Sequence, residues 1–350
     1  MACLPNEGAG ANSPDPSREQ FRVVSGVAVV GAGVVGSRTV RTLTLAGRRV
    51  GVHDQRAEVR RSVAREIGAE PIDDVEDIDP ERFRVVVLAH PGPQTSHAEN
   101  LLRRGCHVVA TADDVHETRE LLELDAIARH AGTTLVVGAT ASPGLSGLIA
   151  ADLIGRLDDA DEVHVAFHGT AGPACARQHH DALAGTAIGW HDGAWIERPG
   201  GSGRELLWFP EPIGAKDCYR AELADPLLLH RAFPRAERIS ARFSATRRDR
   251  LTARLPMMTP PHREGAIGGL RVEVRGSLGG ARETLVAGVA ERTGTIASVV
   301  ATSVVEHLLD EVRPKGGTAV LGEGSLGDSD VLDRVIARSL RVYEYVGSGK

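Results

Sequence analysis

The sequence predicts an α/β fold in two parts, a doubly wound parallel sheet followed by a second α/β (α+β) domain of mixed or antiparallel sheet. Three observations carry this. A short Val-rich run, Gly26–Val30, feeds into Gly31-Ala-Gly33-Val-Val-Gly36 and then into an apolar helical pattern. From there to Gly138, near-continuous apolar runs alternate with helical stretches, as parallel strands covered on both faces require. Beyond residue 160 the runs instead alternate apolar and polar residues, the signature of a sheet with one buried face. A strand, a glycine-bearing turn and a helix in that order make the first part a Rossmann-type sheet.

Taken in order, Val27–Val30 is the first strand and Val34 to about Ala46 the first helix, stopped at Gly47. Arg49–His53 is the second strand and Arg56–Ile67 the second helix, with Gly68 at its end. Arg84–Ala89 is an apolar strand, Gln94–Arg104 a helix stopped by Gly105, and Cys106–Ala110 the next strand. His116–Ala131 reads as one helix and Thr133–Gly138 as the last strand of the series. The right-handed crossover rule leaves few arrangements of these elements beyond a doubly wound sheet.

After Pro143-Gly144, the helix Leu145–Leu157 leaves this first unit. Asp161–His168 then alternates, with Val163, Val165 and Phe167 on one face and His164, Ala166 and His168 on the other. Ala194–Glu197, Glu205–Phe209 and Arg238–Ser244 are further strands, and Leu270–Ser277 with Glu283–Ala290 form a hairpin about Gly279-Gly280. Gly214–Tyr219 reads as a small-residue loop, and Arg247–Pro261 as an irregular, mobile loop over a cleft. Thr293–Leu309 is a long helix and Val331–Arg341 a shorter one. The division this predicts is a disordered tail (1–25), a dinucleotide-binding domain (26–150), a substrate and dimerisation domain (151–292), and C-terminal helices returning to the first domain (293–350).

Composition narrows the function. The 350 residues are 42% hydrophobic and 25% charged, with a formal net charge of −6 and no block of basic residues, so neither nucleic acid nor an anionic membrane surface is the expected partner. Cys3, Cys106, Cys175 and Cys218 are dispersed with no C-x-x-C pair, which fits a reducing cytoplasm and argues against a zinc cluster. The first twenty residues lack the apolar core of a signal peptide, and no apolar run approaches the ~20 residues that span a bilayer.

The glycine turn carries the first chemical expectation. Gly31 permits the tight turn, Gly33 lets backbone approach a pyrophosphate, and Gly36 lets the helix pack on the sheet, with Ala32, Val34 and Val35 completing the cradle. Free N–H groups at the helix start then face the phosphates. Asp54, at the end of the second strand, is placed to accept hydrogen bonds from a ribose and to repel a 2′-phosphate, which favours NAD. Arg56 pulls the other way, because a guanidinium there suits the extra phosphate of NADP. Ala89-His90-Pro91, Thr111 and Pro143-Gly144 follow later strands and fall on the same rim, where they would border the cofactor.

Candidates for acid–base work are Asp114 and His90 on that rim, and Lys216 and Tyr219 in the second half. Asp113 and Asp114 also read as helix-starting residues, His90 as a solvated loop histidine and Lys216 as a surface lysine. His164 and His168 share a strand face; adjacent His179-His180-Asp181 lacks the spacing of a metal site, so no metal is expected. Trp190, Trp195 and Trp208 read as packing residues.

Five segments in this order, Gly31–Gly36, Val85–Pro93, Leu101–Val109, Gly138–Leu148, and Leu270–Gly276 leading into Thr293–Ser298, resemble the saccharopine dehydrogenase-like family of NAD(P)-dependent oxidoreductases over roughly residues 25–345. The resemblance implies hydride transfer to or from a C=N or C=O bond of an amino-acid-like small molecule, a homodimer, and return of the C-terminus to the first domain. It also shows departures. Many members carry Asp where this chain has Ala110, and Asp before Pro-Gly where it has Ser142. A dinucleotide-binding sensor without turnover, or a carbonyl or enoyl reductase, fits the same cofactor motif.

Overall fold

The structure, a computed structural model, describes residues 26–257, 260–311 and 315–345. The expected tail 1–25, with Cys3, lies outside the described residues. In chain order the elements are Gly26–Val30 (β1), Val34–Leu45 (α1), Val50–His53 (β2), Ala57–Ile67 (α2), Glu70–Pro71 (β3), Phe83–Leu88 (β4), Thr95–Arg103 (α3), His107–Ala110 (β5), Val115–Glu123 (α4), Asp125–Ala131 (α5) and Thr134–Val137 (β6). There follow Leu145–Ile154 (α6), Asp159–His168 (β7), Pro173–Ala182 (α7), Thr186–His191 (β8), Ala194–Pro199 (β9), Glu205–Phe209 (β10), Gly214–Tyr219 (β11) and Asp225–Ala232 (α8). The chain closes with Arg238–Ser244 (β12), Arg247–Thr252 (α9), Ile267–Leu278 (β13), Ala281–Arg292 (β14), Thr293–Asp310 (α10), Gly317–Val320 (β15), Asp328–Ala337 (α11) and Tyr343–Glu344 (β16).

The first sheet has the order β15-β6-β5-β4-β1-β2-β3, and all its pairings are parallel. Its strands β1, β2 and β6 are Val-rich and buried along their whole length because helices cover both faces. The chain leaves from the middle, at β1, in both directions, so a crevice opens beyond the carboxyl ends of β1 and β4. The second sheet runs β10-β11-β12-β7-β13-β14-β16, with β8 and β9 attached to β12. It is mixed: β12 pairs with β7 in parallel and the remaining pairs are antiparallel. The expected α/β class with a parallel sheet and a second mixed sheet is therefore what the chain forms.

The long helix α10 joins the two halves. It is buried from Thr293 to Leu308 except at Thr295, and lies against α1. The chain then enters the first sheet as β15, beside β6, and returns to the second through β16. Among the described residues, no helix is long and apolar enough to cross a membrane.

Several expectations need correction. The stretch His116–Ala131 is two helices, broken at Leu124. Gly214–Tyr219 is a strand rather than a loop, held between β10 and β12. Within Arg247–Pro261, α9 forms because Thr246 and Asp249 cap it reciprocally; Met258 and Thr259 lie outside the described residues. Trp195 and Trp208 are 43% and 59% exposed, so they are not buried packing residues; Trp190 stacks on His230 at 4.0 Å.

Candidate functional site

The turn from β1 to α1 sets three glycines in different surroundings. Gly31 has φ +103°, and a Cβ there would sit 2.6 Å from the Ala89 carbonyl oxygen. A Cβ on Gly36 would come within 1.7 Å of the Gly31 carbonyl oxygen, so only a hydrogen lets α1 lie on the turn. Gly33 differs from both. It is exposed, has an ordinary φ of −75°, and a Cβ there would meet nothing within 4 Å. Gly33 is the N-cap of α1 and no side chain caps that helix. Open space therefore faces unpaired N–H donors and the positive end of the helix dipole, which suits a pyrophosphate.

Asp54 ends β2 and is 7% exposed. Its Oδ2 accepts from the Ala32 N–H at 2.9 Å and from Arg56 Nη2 at 3.1 Å, while Oδ1 accepts from the Arg56 N–H at 2.9 Å and Arg56 Nε at 3.0 Å. Burial works against the charge, but the Arg56 guanidinium and the two N–H groups outweigh it and hold the carboxyl below its usual range. Asp54 thus stays ionised and fastens the glycine turn to the neighbouring strand, with the exposed Arg56 side chain folded over it.

The rim continues through the loop after β4. The Gln94 N–H donates to Glu117 Oε1, and Gln94 Nε2 donates to the His90 carbonyl oxygen at 2.8 Å. Both ring nitrogens of His90 are engaged, Nδ1 with the Pro91 carbonyl oxygen at 3.1 Å and Nε2 with His97 Nδ1 at 3.3 Å. Burial lowers the His90 pKa, so the ring is neutral at pH 7. Thr111 Oγ1 donates to the Leu88 carbonyl oxygen at 2.9 Å and ties the ends of β4 and β5 together. Asp114 caps α4 by accepting from the Glu117 N–H at 2.9 Å.

Gly31–Gly36, Asp54, Ala89–Pro91, Thr111 and Asp114 therefore gather along one rim, at the carboxyl ends of β1, β2, β4 and β5. Pro143 and Gly144 follow β6 but are buried, with the Pro143 carbonyl oxygen accepting from Thr140 Oγ1 at 2.9 Å. Two expected catalytic candidates are not on the rim. Tyr219 is 2% exposed, in the apolar core beneath the Arg250 guanidinium, because β11 turns it inward. Lys216, three residues earlier, lies on the other face of β11 and acts on His168, whose pKa burial and the lysine charge push down to about 4. That face holds a cavity of about 230 Å³ lined by Arg220, Arg238, Arg242 and Arg271.

Two groupings escaped the sequence reading. Asp225, at the start of α8, is 1% exposed, and its oxygens accept from Ser142 Oγ at 2.8 Å and Ser146 Oγ at 2.7 Å. A carboxyl group therefore does stand beside position 142, though it comes from a distant helix. Burial pushes it up to about 6. Asp113, at the rim, meets Cys175 and His179 of α7. The Cys175–His179 spacing of one helical turn was the available signal; nothing in the chain order linked it to Asp113.

The parallel sheet and the glycine turn define the first half as a Rossmann-type dinucleotide-binding fold. Residues 25–139 match the model of the GFO/IDH/MocA group, described as an oxidoreductase family with an NAD-binding Rossmann fold. Over the whole chain the fold is that of saccharopine dehydrogenase (L-Glu forming) from Saccharomyces cerevisiae, with a TM-score of 0.69, 14% identity, and coverage of 92% of this chain and 100% of that one. DAP dehydrogenase from C. glutamicum, solved with DAP, has a TM-score of 0.51 and 17% identity over 90% of this chain and 98% of its own. An engineered D-amino acid dehydrogenase bound to NADP+ has a TM-score of 0.50 and 17% identity over 90% and 99%. No curated protein sequence matches the chain.

Proposed function

We propose that this protein transfers hydride between a nicotinamide dinucleotide and the C=N, or C=O, bond of an amino-acid-derived small molecule. The observation that carries the reading is the open, donor-lined space at Gly33, at the head of a fold shared with saccharopine dehydrogenase over that enzyme's full length. Gly31–Gly36 would hold the pyrophosphate, Asp54 and Arg56 the adenosine ribose, and Ala89–Pro91 with Thr111 would border the nicotinamide half. Once bound, the dinucleotide supplies the hydride donor or acceptor.

The chain's own residues then orient the substrate, exclude water and handle one proton. Asp114 keeps its place among the rim candidates, while Asp225 is a buried carboxyl poised near neutrality next to Ser142. Ionised Asp54 favours NAD over NADP. Leu206 and Trp208, each 59% exposed on the same face of the terminal strand β10, support a homodimer. Dispersed, unpaired Cys106, Cys175 and Cys218 fit a cytoplasmic setting.

The test is turnover of NADH and NADPH, followed at the reduced-nicotinamide absorbance, against paired amino acids with 2-oxo acids or aldehydes. Oxidation of the reduced cofactor with at least one pair is expected. Tight cofactor binding with no turnover for any pair would replace the enzyme by the sensor reading.

A further inference from the structure

One face of the second sheet concentrates arginine. In the pairing register Arg242 and Arg271 both stand opposite Ala166, Ser240 and Glu273 opposite His164, and Arg275 opposite Glu162. Residues paired in this way share a face, so these side chains lie with His164 and not with Phe167. Phe167 faces α7, its ring 5.8 Å from that of His179, and the adjacent Gln178 donates to Asp113 on the rim at 2.6 Å. The arginine face is therefore turned away from the proposed cofactor site.

A parting of strands opens a cavity there. β12 pairs with β8 only at Arg238 and Ile239, and with β11 only at Phe243 and Ser244, so Ser240–Arg242 have no partner strand on that edge. The opening is the cavity of about 230 Å³, bordered by Ile188 and Gly189 of β8 and by Arg220 just beyond β11. Six arginines and two glutamates line it, which leaves positive charge in excess. Three of the arginines are neutralised. Arg242 Nε lies 2.7 Å from Glu205 Oε2, and Arg271 and Arg275 each lie 2.6 Å from a Glu273 oxygen. Glu162, on the same face, is engaged by His164 and Arg275. Among the described residues, Arg198, Arg220 and Arg238 have no carboxylate in ion-pair contact.

We infer that this cavity binds a small polyanion, a molecule carrying at least two carboxylate or phosphate groups. Guanidinium forks take the oxygens of either group in pairs, and two or three of them converging accommodate more than one such group. Arg220 is half-buried, and burial together with the Arg242 and Arg198 charges presses its pKa down. Like charges gathered in this way repel one another, and an entering anion relieves that repulsion. Ser240, whose Oγ is 2.8 Å from His164 Nδ1, adds a hydroxyl to the lining. The volume falls below the ~300–1,000 Å³ of sites for drug-sized ligands, which suits a compact ion such as a tricarboxylate.

Calorimetric titration of the full-length protein at low ionic strength, with citrate and separately with pyrophosphate, tests this. Saturable one-to-one binding of at least one ion is expected; citrate alone would mark a carboxylate ligand, and pyrophosphate alone a phosphate ligand. Arg220→Gln should weaken that binding at least ~10-fold, and substitution of the exposed Arg238, Arg238→Gln, about 3-fold. Glu205→Gln should instead tighten it about 3-fold by removing a carboxylate from the lining, a gain that misfolding does not produce. Melting curves and NADH titrations of the same samples should match wild type, and protein saturated with NADH should bind the anion equally well. An unchanged affinity in Arg220→Gln, or loss of anion binding on saturation with NADH, would overturn the inference. So would the absence of saturable binding of either ion to wild type; if Arg220→Gln then splits a dimer, the face belongs to a second copy of the chain.

Discussion

Asp54 has two tasks that oppose each other when it is replaced. Its carboxylate anchors the Ala32 N–H of the glycine turn and sets the charge that a 2′-phosphate would meet. Asp54→Ser should therefore weaken NAD binding and narrow the NAD-over-NADP affinity ratio by about tenfold, ~1.4 kcal/mol of discrimination. Titration of both cofactors measures the ratio; an unchanged value would reduce Asp54 to a loop anchor. Asp225 gives a pH signature instead. Its carboxyl lies at about 6 in the fold against 3.8 in the unfolded chain, so the folded state holds the proton more tightly. Its favourable contribution is complete below about pH 3.8 and is lost as pH rises through about 6. Denaturant midpoints of wild type and Asp225→Asn should diverge across that window, with the variant gaining relative stability on the order of 2–3 kcal/mol by pH 7. Parallel midpoints from pH 4 to 7 would show that Asp225 does not titrate there.

At the scale of elements, the β1–turn–α1 unit was the most legible part of the chain. A Val run, three spaced glycines and a helical pattern leave few other structures, and Gly36 shows why. Its missing Cβ is what permits the approach of α1 to the Gly31 carbonyl. Gly36→Ala should cost several kcal/mol, ~3 or more, through overpacking against backbone, and should lower the melting temperature sharply. A variant as stable as wild type would mean that the turn relaxes freely. The short strand β15 was not legible. Its four residues sit among glycines, and it is defined by its partners: Thr318 donates its N–H to Asp125 Oδ1 at 2.8 Å, and Arg231 Nη2 donates to the Thr318 carbonyl oxygen at 2.6 Å. The helix α7 was hidden for a related reason, since its pattern mixes His, Gln and Arg on faces that only the second sheet makes meaningful. β11 lacked alternation because it is half-buried on both faces over Gly214–Asp217.

Across the whole molecule, α10 and β15 make the two halves interdependent. β6 is buried along its entire length, and β15 covers its outer edge. Ending the chain at residue 314 should uncover that edge and convert soluble protein into aggregate on expression, read from the soluble fraction. Equal solubility would show that β15 is dispensable. The same interdependence explains which site residues the sequence could offer. The rim proposed for the cofactor comes from consecutive strand ends within about one hundred residues and reads off the motif. Asp225 beside Ser142, and Asp113 beside His179, depend on pairs brought together from different halves, where spacing carries no information.

The space at Gly33 is proposed to receive a dinucleotide pyrophosphate, and Gly33→Val tests this because a Cβ there meets no protein atom within 4 Å. NADH titration by nicotinamide fluorescence, alongside melting curves for both proteins, gives the answer. Saturable binding to wild type is expected, with a variant that melts within about 2 °C of it but binds at least ~10-fold more weakly. Equal NADH affinity in the two folded proteins, or no NADH binding by wild type, would contradict it.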